Sequence, residues 1–123
     1  MTQNIYIVAS REDAKKSLFG VATSNEADNV LVLKSFEVKD VDEVMEKIHT
    51  TLRGLCCKNR VNIYRCPFKL FAKLIEYIIE DNRGIDFFSN IIVVLRADNI
   101  WTYGITNEEF LAIDKKYNST TKN

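Results

Sequence analysis

His49 is the only histidine of the chain, and Glu46 stands three residues before it. On a helix this spacing puts both side chains on one face, where a carboxylate and an imidazole could exchange a proton in acid–base chemistry. A lone helical histidine near an acidic neighbour is more often a structural contact, and no second base or nucleophile accompanies the pair. Three cysteines, Cys56, Cys57 and Cys66, follow His49 in the order His-x6-Cys-Cys-x8-Cys. Thiolates and imidazole are zinc ligands, but the usual Cys-x2-4-Cys knuckle is missing, so no metal site is expected. The odd count and the two adjacent thiols argue for free cysteines in a reducing, intracellular compartment rather than for a disulfide framework. Walker, nucleophile-elbow, Rossmann and zinc-protease patterns are absent, and with four glycines in all a glycine cradle for phosphate is not expected. No cofactor is implied.

Charge is the clearer signal. Between Lys47 and Ile75 there is no acidic residue, while Lys47, Arg53, Lys58, Arg60, Arg65, Lys69 and Lys73 are all basic. Acids crowd the flanks, with Glu37, Asp40, Asp42, Glu43 and Glu46 before the block and Glu76, Glu80, Asp81 and Asp86 after it. Such segregation can give a chain of zero formal net charge a positive face, and a positive face attracts phosphate backbones through counterion release. The alternative is that these are solvated positions on two surface helices and a turn.

The remaining composition bounds what can position these groups. The chain has 123 residues, 46% of them hydrophobic, which suits one compact domain with a single core. No apolar run approaches the roughly 18 to 20 residues that span a bilayer. The first ten residues show neither a basic n-region nor a long apolar stretch, so no secretory signal is expected there.

Asn4 to Ser10 and Ser17 to Ser24 are β-branched, apolar runs separated by the charged Arg11 to Lys16, a pattern that predicts a hairpin with a solvated connection. Val30 to Val38 predicts a third strand. Asp40 and Glu43 form a capping box for a helix over about Val41 to Arg53, with Val41, Met45, Ile48 and Leu52 on its apolar stripe and Gly54 as its stop. A short apolar piece, Val61 to Tyr64, precedes Pro67, which suits the first position of a second helix running to about Asp81. Beyond Asn82-Arg83-Gly84, Ile91 to Leu95 and Ile100 to Tyr103 are expected as short strands, and Thr106 with Glu109 caps a last helix before a flexible tail at 118–123. The fold class is therefore α+β, a small, mainly antiparallel sheet packed with helices.

The order strand, strand, strand, helix, short strand, helix, with its local residues, resembles the GIY-YIG endonuclease superfamily, in particular the branch common in phages and large DNA viruses. The resemblance covers about Ile5 to Asp81, leaving 82–117 as a C-terminal strand and helix extension of a GIY-YIG-like core. Asn4-Ile5-Tyr6-Ile7-Val8 matches the first signature strand, and Phe19-Gly20-Val21-Ala22-Thr23-Ser24 matches the second loosely. Glu46-Lys47-Ile48-His49-Thr50-Thr51-Leu52 and Arg60-Val61-Asn62-Ile63-Tyr64-Arg65-Cys66-Pro67-Phe68 match the later motifs of that branch.

The resemblance implies a nuclease centre, and it also implies that the centre is degenerate. Tyr6 keeps the first signature tyrosine, but Phe19 replaces the second, and Ala22 replaces the signature glycine. No arginine lies between Asn25 and Lys34 to serve as the family's phosphate ligand, and Cys66 occupies the position of the metal-binding glutamate. A thiol is a poor ligand for a hard cation. The vestigial site is thus Tyr6, Phe19, His49 and Cys66, and the expected protein is a pseudo-nuclease that binds nucleic acid through its basic block. The resemblance further implies a viral accessory or nucleoprotein-like role in the host cytoplasm, the nucleus or the virion. The alternative class is a protein–protein or self-assembly module, in which Phe87, Phe88, Trp101 and Tyr103 are interface anchors. An active metal-dependent endonuclease is the least favoured reading.

Overall fold

A computed structural model of the chain describes residues 3–23, 31–60, 62–81 and 83–98, together with Glu108, Leu111, Ala112 and Lys115. The fold is α+β. Four strands, β1 (Gln3–Ala9), β2 (Leu18–Ala22), β3 (Leu31–Val38) and β4 (Ile63–Arg65), form one antiparallel sheet in the order β3-β1-β2-β4. Helices α2 (Val41–Thr51) and α3 (Phe68–Glu80) pack against each other and against β1 and β3.

Period-two alternation decides which face of the sheet they cover. Ile5, Ile7 and Ala9 of β1 are buried on one face, and Tyr6 and Val8 are half-buried on the other. The register Ile7 to Val21 puts Phe19 and Val21 of β2 on the buried face, and Phe19 opposite Tyr64 brings β4 into the same layer. Phe19 and Tyr64 each meet Phe71 of α3, with ring centroids 6.0 and 5.5 Å apart. Ile48 and Leu52 from α2 and Leu74 and Ile75 from α3 complete a fully buried centre.

Local chemistry fixes the ends of the elements. The β1–β2 connection, expected as a solvated loop, contains a five-residue helix, α1 (Arg11–Lys15). Ser10 caps it by accepting from the Asp13 N–H at 3.1 Å, and Ala14 is wholly buried. Asp40 caps α2 by accepting from the Glu43 N–H at 3.1 Å. Pro67 stands one position earlier than expected, as the N-cap of α3 with an extended ψ of 138°. The N–H of the preceding Cys66 donates to Ser17 O at 3.0 Å and continues the contact between the β2 and β4 segments. Asp81 ends α3 in the left-handed conformation.

Two expectations are corrected. Ile91 to Leu95 is not a strand but lies within a helix, α4 (Ile85–Asp98). Phe88, Ile91 and Ile92 recur at helical spacing and turn toward the core, while Val93 and Val94 are 65% and 53% exposed. Burial of that stripe outweighs the β preference of five consecutive branched or aliphatic residues. Gly54 does not stop α2, which is capped by Leu52; it lies in a 3-10 turn, Arg53–Leu55. A Cβ at Gly54 would fall 2.8 Å from Ile92 Cγ2, so the glycine admits the close approach of α4. The expected strand at 100–103, with Trp101 and Tyr103, lies outside the described residues; Glu108, Leu111, Ala112 and Lys115 are helical. Among the described residues no helix is long and apolar enough to cross a membrane.

Candidate functional site

Strand β4 is flanked on its free side by the segment after the 3-10 turn, where Cys56 bridges to Tyr64 and the Cys57 N–H donates to Ile63 O at 2.8 Å. Leu18 of β2 stands opposite Arg65 of β4, on the face away from Phe19 and Tyr64. These residues and the turn Arg53–Leu55 enclose a cleft of about 570 Å³. Leu18 and Leu55 are buried apolar residues on its wall. Arg53, Lys58, Arg60 and Arg65 are exposed cations around it, and no carboxylate of the described residues lines it.

Among the described residues, one of the four cations has an ion-pair partner. The Arg60 guanidinium donates two parallel hydrogen bonds to Asp13, Nη1 to Oδ1 and Nη2 to Oδ2, each 2.9 Å. This fork holds the Asp13 carboxyl below its ordinary value and raises Arg60. Arg53, Lys58 and Arg65 have no ion-pair partner among the described residues. The rest of the basic block goes elsewhere. Lys47 reaches Asp81 at 3.0 Å, and Lys73 reaches Glu76 at 3.2 Å while lying 5.6 Å over the Tyr77 ring. Lys69 is exposed in the first turn of α3 and is not part of the cleft wall.

The four residues of the vestigial centre are distributed through the fold. Tyr6 is half-buried on the sheet face opposite Phe19, so the sheet separates the two. Phe19 is fully buried beneath α3, 5.5 Å from the Phe68 ring. Cys66 is also fully buried, and burial pushes its thiol up to about 12. A buried, protonated thiol at this position does not fit a divalent cation that prefers oxygen ligands. His49 is half-buried on α2, and its Nδ1 is hydrogen-bonded with the Tyr64 hydroxyl rather than with Glu46. Burial raises the Tyr64 phenol above its ordinary value, so the hydroxyl keeps its proton and can donate to a neutral imidazole.

Tyr64 and Asp13 are the site residues that sequence reasoning missed. Tyr64 had a faint signal as the central residue of a short apolar strand with a hydroxyl that needs a partner when buried. Asp13 had none, because 47 positions separate it from Arg60. Phe87 and Phe88, considered as interface anchors, pack edge-to-face at 5.2 Å; Phe88 is buried and Phe87 meets Tyr77.

No protein-family model matches the chain, and no match is found among curated proteins or solved structures. The chemistry must therefore be argued from the cleft itself. Three guanidinium groups and an ammonium around an apolar floor suit an anion of extended shape, because arginine forks bind phosphate oxygens in pairs. Among the described residues, no aromatic ring lines the cleft.

Proposed function

We propose that the protein is a non-catalytic nucleic-acid-binding protein, nucleoprotein-like or accessory in role, built on a degenerate GIY-YIG-like nuclease scaffold of viral type. The observation that carries this reading is a cleft with four cations and, among the described residues, no carboxylate on its wall. Phosphates of the backbone occupy it, and Arg53, Lys58 and Arg65 are the principal contacts because Arg60 is already shared with Asp13. Recognition is then largely independent of sequence. The absence of cutting is supported by Phe19, which lacks a hydroxyl, and by the buried Cys66 thiol.

The test is binding of the full chain to short labelled single- and double-stranded DNA at two salt concentrations, with and without magnesium. The expected result is salt-sensitive binding to DNA that stays intact in both conditions, weakened by Arg65→Ala. Binding that ignores salt and the substitution overturns the reading, and magnesium-dependent cutting overturns its non-catalytic part.

A second reading, a protein–protein or self-assembly module, is favoured by Val93 and Val94, which are exposed on the outer side of α4. It takes over if the chain binds no nucleic acid at low salt and self-associates in a way that Val93→Lys abolishes.

A further inference from the structure

The cleft wall also carries two adjacent thiols, Cys56 and Cys57, both half-buried and neither in a disulfide. The backbone treats them differently. Cys56 is extended, with φ −70° and ψ 139°, and bridges to Tyr64, while the Cys57 N–H is tied to Ile63 O. Extended backbone sends successive side chains in opposite directions. Cys56 turns its Sγ to the Cys57 carbonyl oxygen at 3.7 Å and packs against the core beside its bridge partner Tyr64. Cys57, the next residue along, lines the cleft with Arg60 and Arg65.

A soft nucleophile is thus placed in a cavity whose four cations, with no acid on the wall among the described residues, select anionic reagents. We propose that Cys57 is a modification site that accepts an anionic low-molecular-weight disulfide of the glutathione type, and that the adduct closes the cleft to nucleic acid. The closing half rests on the function proposed above; the modification does not. The Cys57 thiolate attacks one sulfur of the incoming disulfide, a new bond forms between Cys57 Sγ and that sulfur, and the original S–S bond breaks. The departing thiolate takes a proton from solvent, so Cys57 is oxidised to the mixed disulfide as one glutathione is reduced. Three sulfurs share a negative charge during this exchange, and the surrounding cations favour both its formation and the approach of the anion. Cys56, directed the other way, is poorly placed to expel the adduct. The carboxylates of the bound group then lie among Arg53, Lys58, Arg60 and Arg65, where phosphate would otherwise sit.

The experiment treats the reduced full chain with glutathione disulfide or with cystamine, a cationic disulfide, and follows the adduct by mass spectrometry and peptide mapping. One glutathionyl group is expected on Cys57, formed about tenfold faster than the cystamine adduct at low salt, with the advantage shrinking as salt rises. Cys56→Ser keeps the adduct, and Cys57→Ser loses it. An adduct on Cys56 or Cys66, a Cys56–Cys57 disulfide, or equal rates for the two reagents overturns the site. In a parallel arm, the glutathionylated chain is expected to bind labelled DNA at least about tenfold more weakly, with recovery on reduction and no effect of treatment on Cys57→Ser. Unchanged DNA binding by the modified chain overturns the closing role. If the untreated chain binds no DNA, the proposed function and the closing role fall together, while adduct mapping still decides the site.

Discussion

Arg53, Lys58 and Arg65 stand around a cleft with no acid on its wall among the described residues, whereas Lys47 and Lys73, drawn from the same acid-free run of sequence, are each paired with a carboxylate. The difference lies in what carries them. Lys73 is on α3, where three residues are less than one turn, so Glu76 just beyond the basic run is within reach. Lys47 is on α2, packed beside α3, and meets Asp81 at that helix's end. Among the described residues the turn and β4 have no such neighbours, and the one acid that arrives there, Asp13, comes from α1 and meets Arg60. A run of like charge in sequence thus becomes a cationic patch only where turn and strand backbone remove it from the helical acids at its flanks.

Both regions rest on one core, and the largest effect comes from breaking it. Phe71 is fully buried against Phe19 and Tyr64, so Phe71→Ala should cost about 3–5 kcal/mol, read by chemical denaturation. The cleft and the Lys47–Asp81 ion pair should disappear together. If DNA binding survives unchanged in the unfolded variant, the cations act as an unstructured chain and the comparison dissolves.

The link between the cleft and α4 is tested by Gly54→Ala. The added methyl would sit 2.8 Å from the branched Ile92 Cγ2, which has little freedom to withdraw. A loss of about 1–3 kcal/mol is expected from this overpacking, and Ile92→Ala in the same chain should recover part of it. Equal stability of Gly54→Ala and the parent would mean that α4 does not press on the turn.

These two sites mark where the sequence is legible and where it is not. Strands β1, β2 and β3 and helices α2 and α3 follow from alternation, helical spacing and the caps at Asp40 and Pro67, because those signals are local. Ile91 to Leu95 misleads because five aliphatic residues in a row fit a buried strand as well as a helix; only Phe88, three residues before Ile91, carries the helical period. Gly54 misleads because its glycine serves a distant partner, not the end of its own helix. For the site, the basic block is plain in sequence, but its division is not. That division depends on Asp13, Glu76 and Asp81, and on the cleft wall made by Leu18 opposite Arg65, which are products of tertiary pairing. His49 likewise finds Tyr64 across 15 residues instead of its helical neighbour Glu46.

The cations themselves give the sharpest contrast. Arg53→Ala with Arg65→Ala should weaken DNA binding on the order of tenfold and lower the slope of log affinity against log salt by about two, one for each phosphate that is no longer neutralised. Lys47→Ala with Lys73→Ala removes the same formal charge from paired positions and should change affinity by less than about twofold. Equal losses in the two double variants would mean that net charge, not the cleft, attracts the nucleic acid.

The smallest effect concerns the one cleft cation that is paired. Asp13→Asn removes the carboxylate that holds Arg60, and the pair is solvent-facing enough that the loss of stability should be about 1 kcal/mol or less. Folding lowers the Asp13 pKa below its ordinary 3.8, so the pair's contribution is complete above that value and is lost as pH falls through the folded value. The stability difference between the parent and Asp13→Asn should therefore be constant from neutral pH down to about pH 5 and vanish only in the acid limb. At neutral pH the same substitution leaves Arg60 free to take a phosphate. DNA affinity should then rise by about twofold to threefold and the salt slope steepen by up to about one, a gain of binding from a variant that has lost stability. A drop in affinity would instead mean that Asp13 positions Arg60 for its ligand, making α1 part of the binding surface.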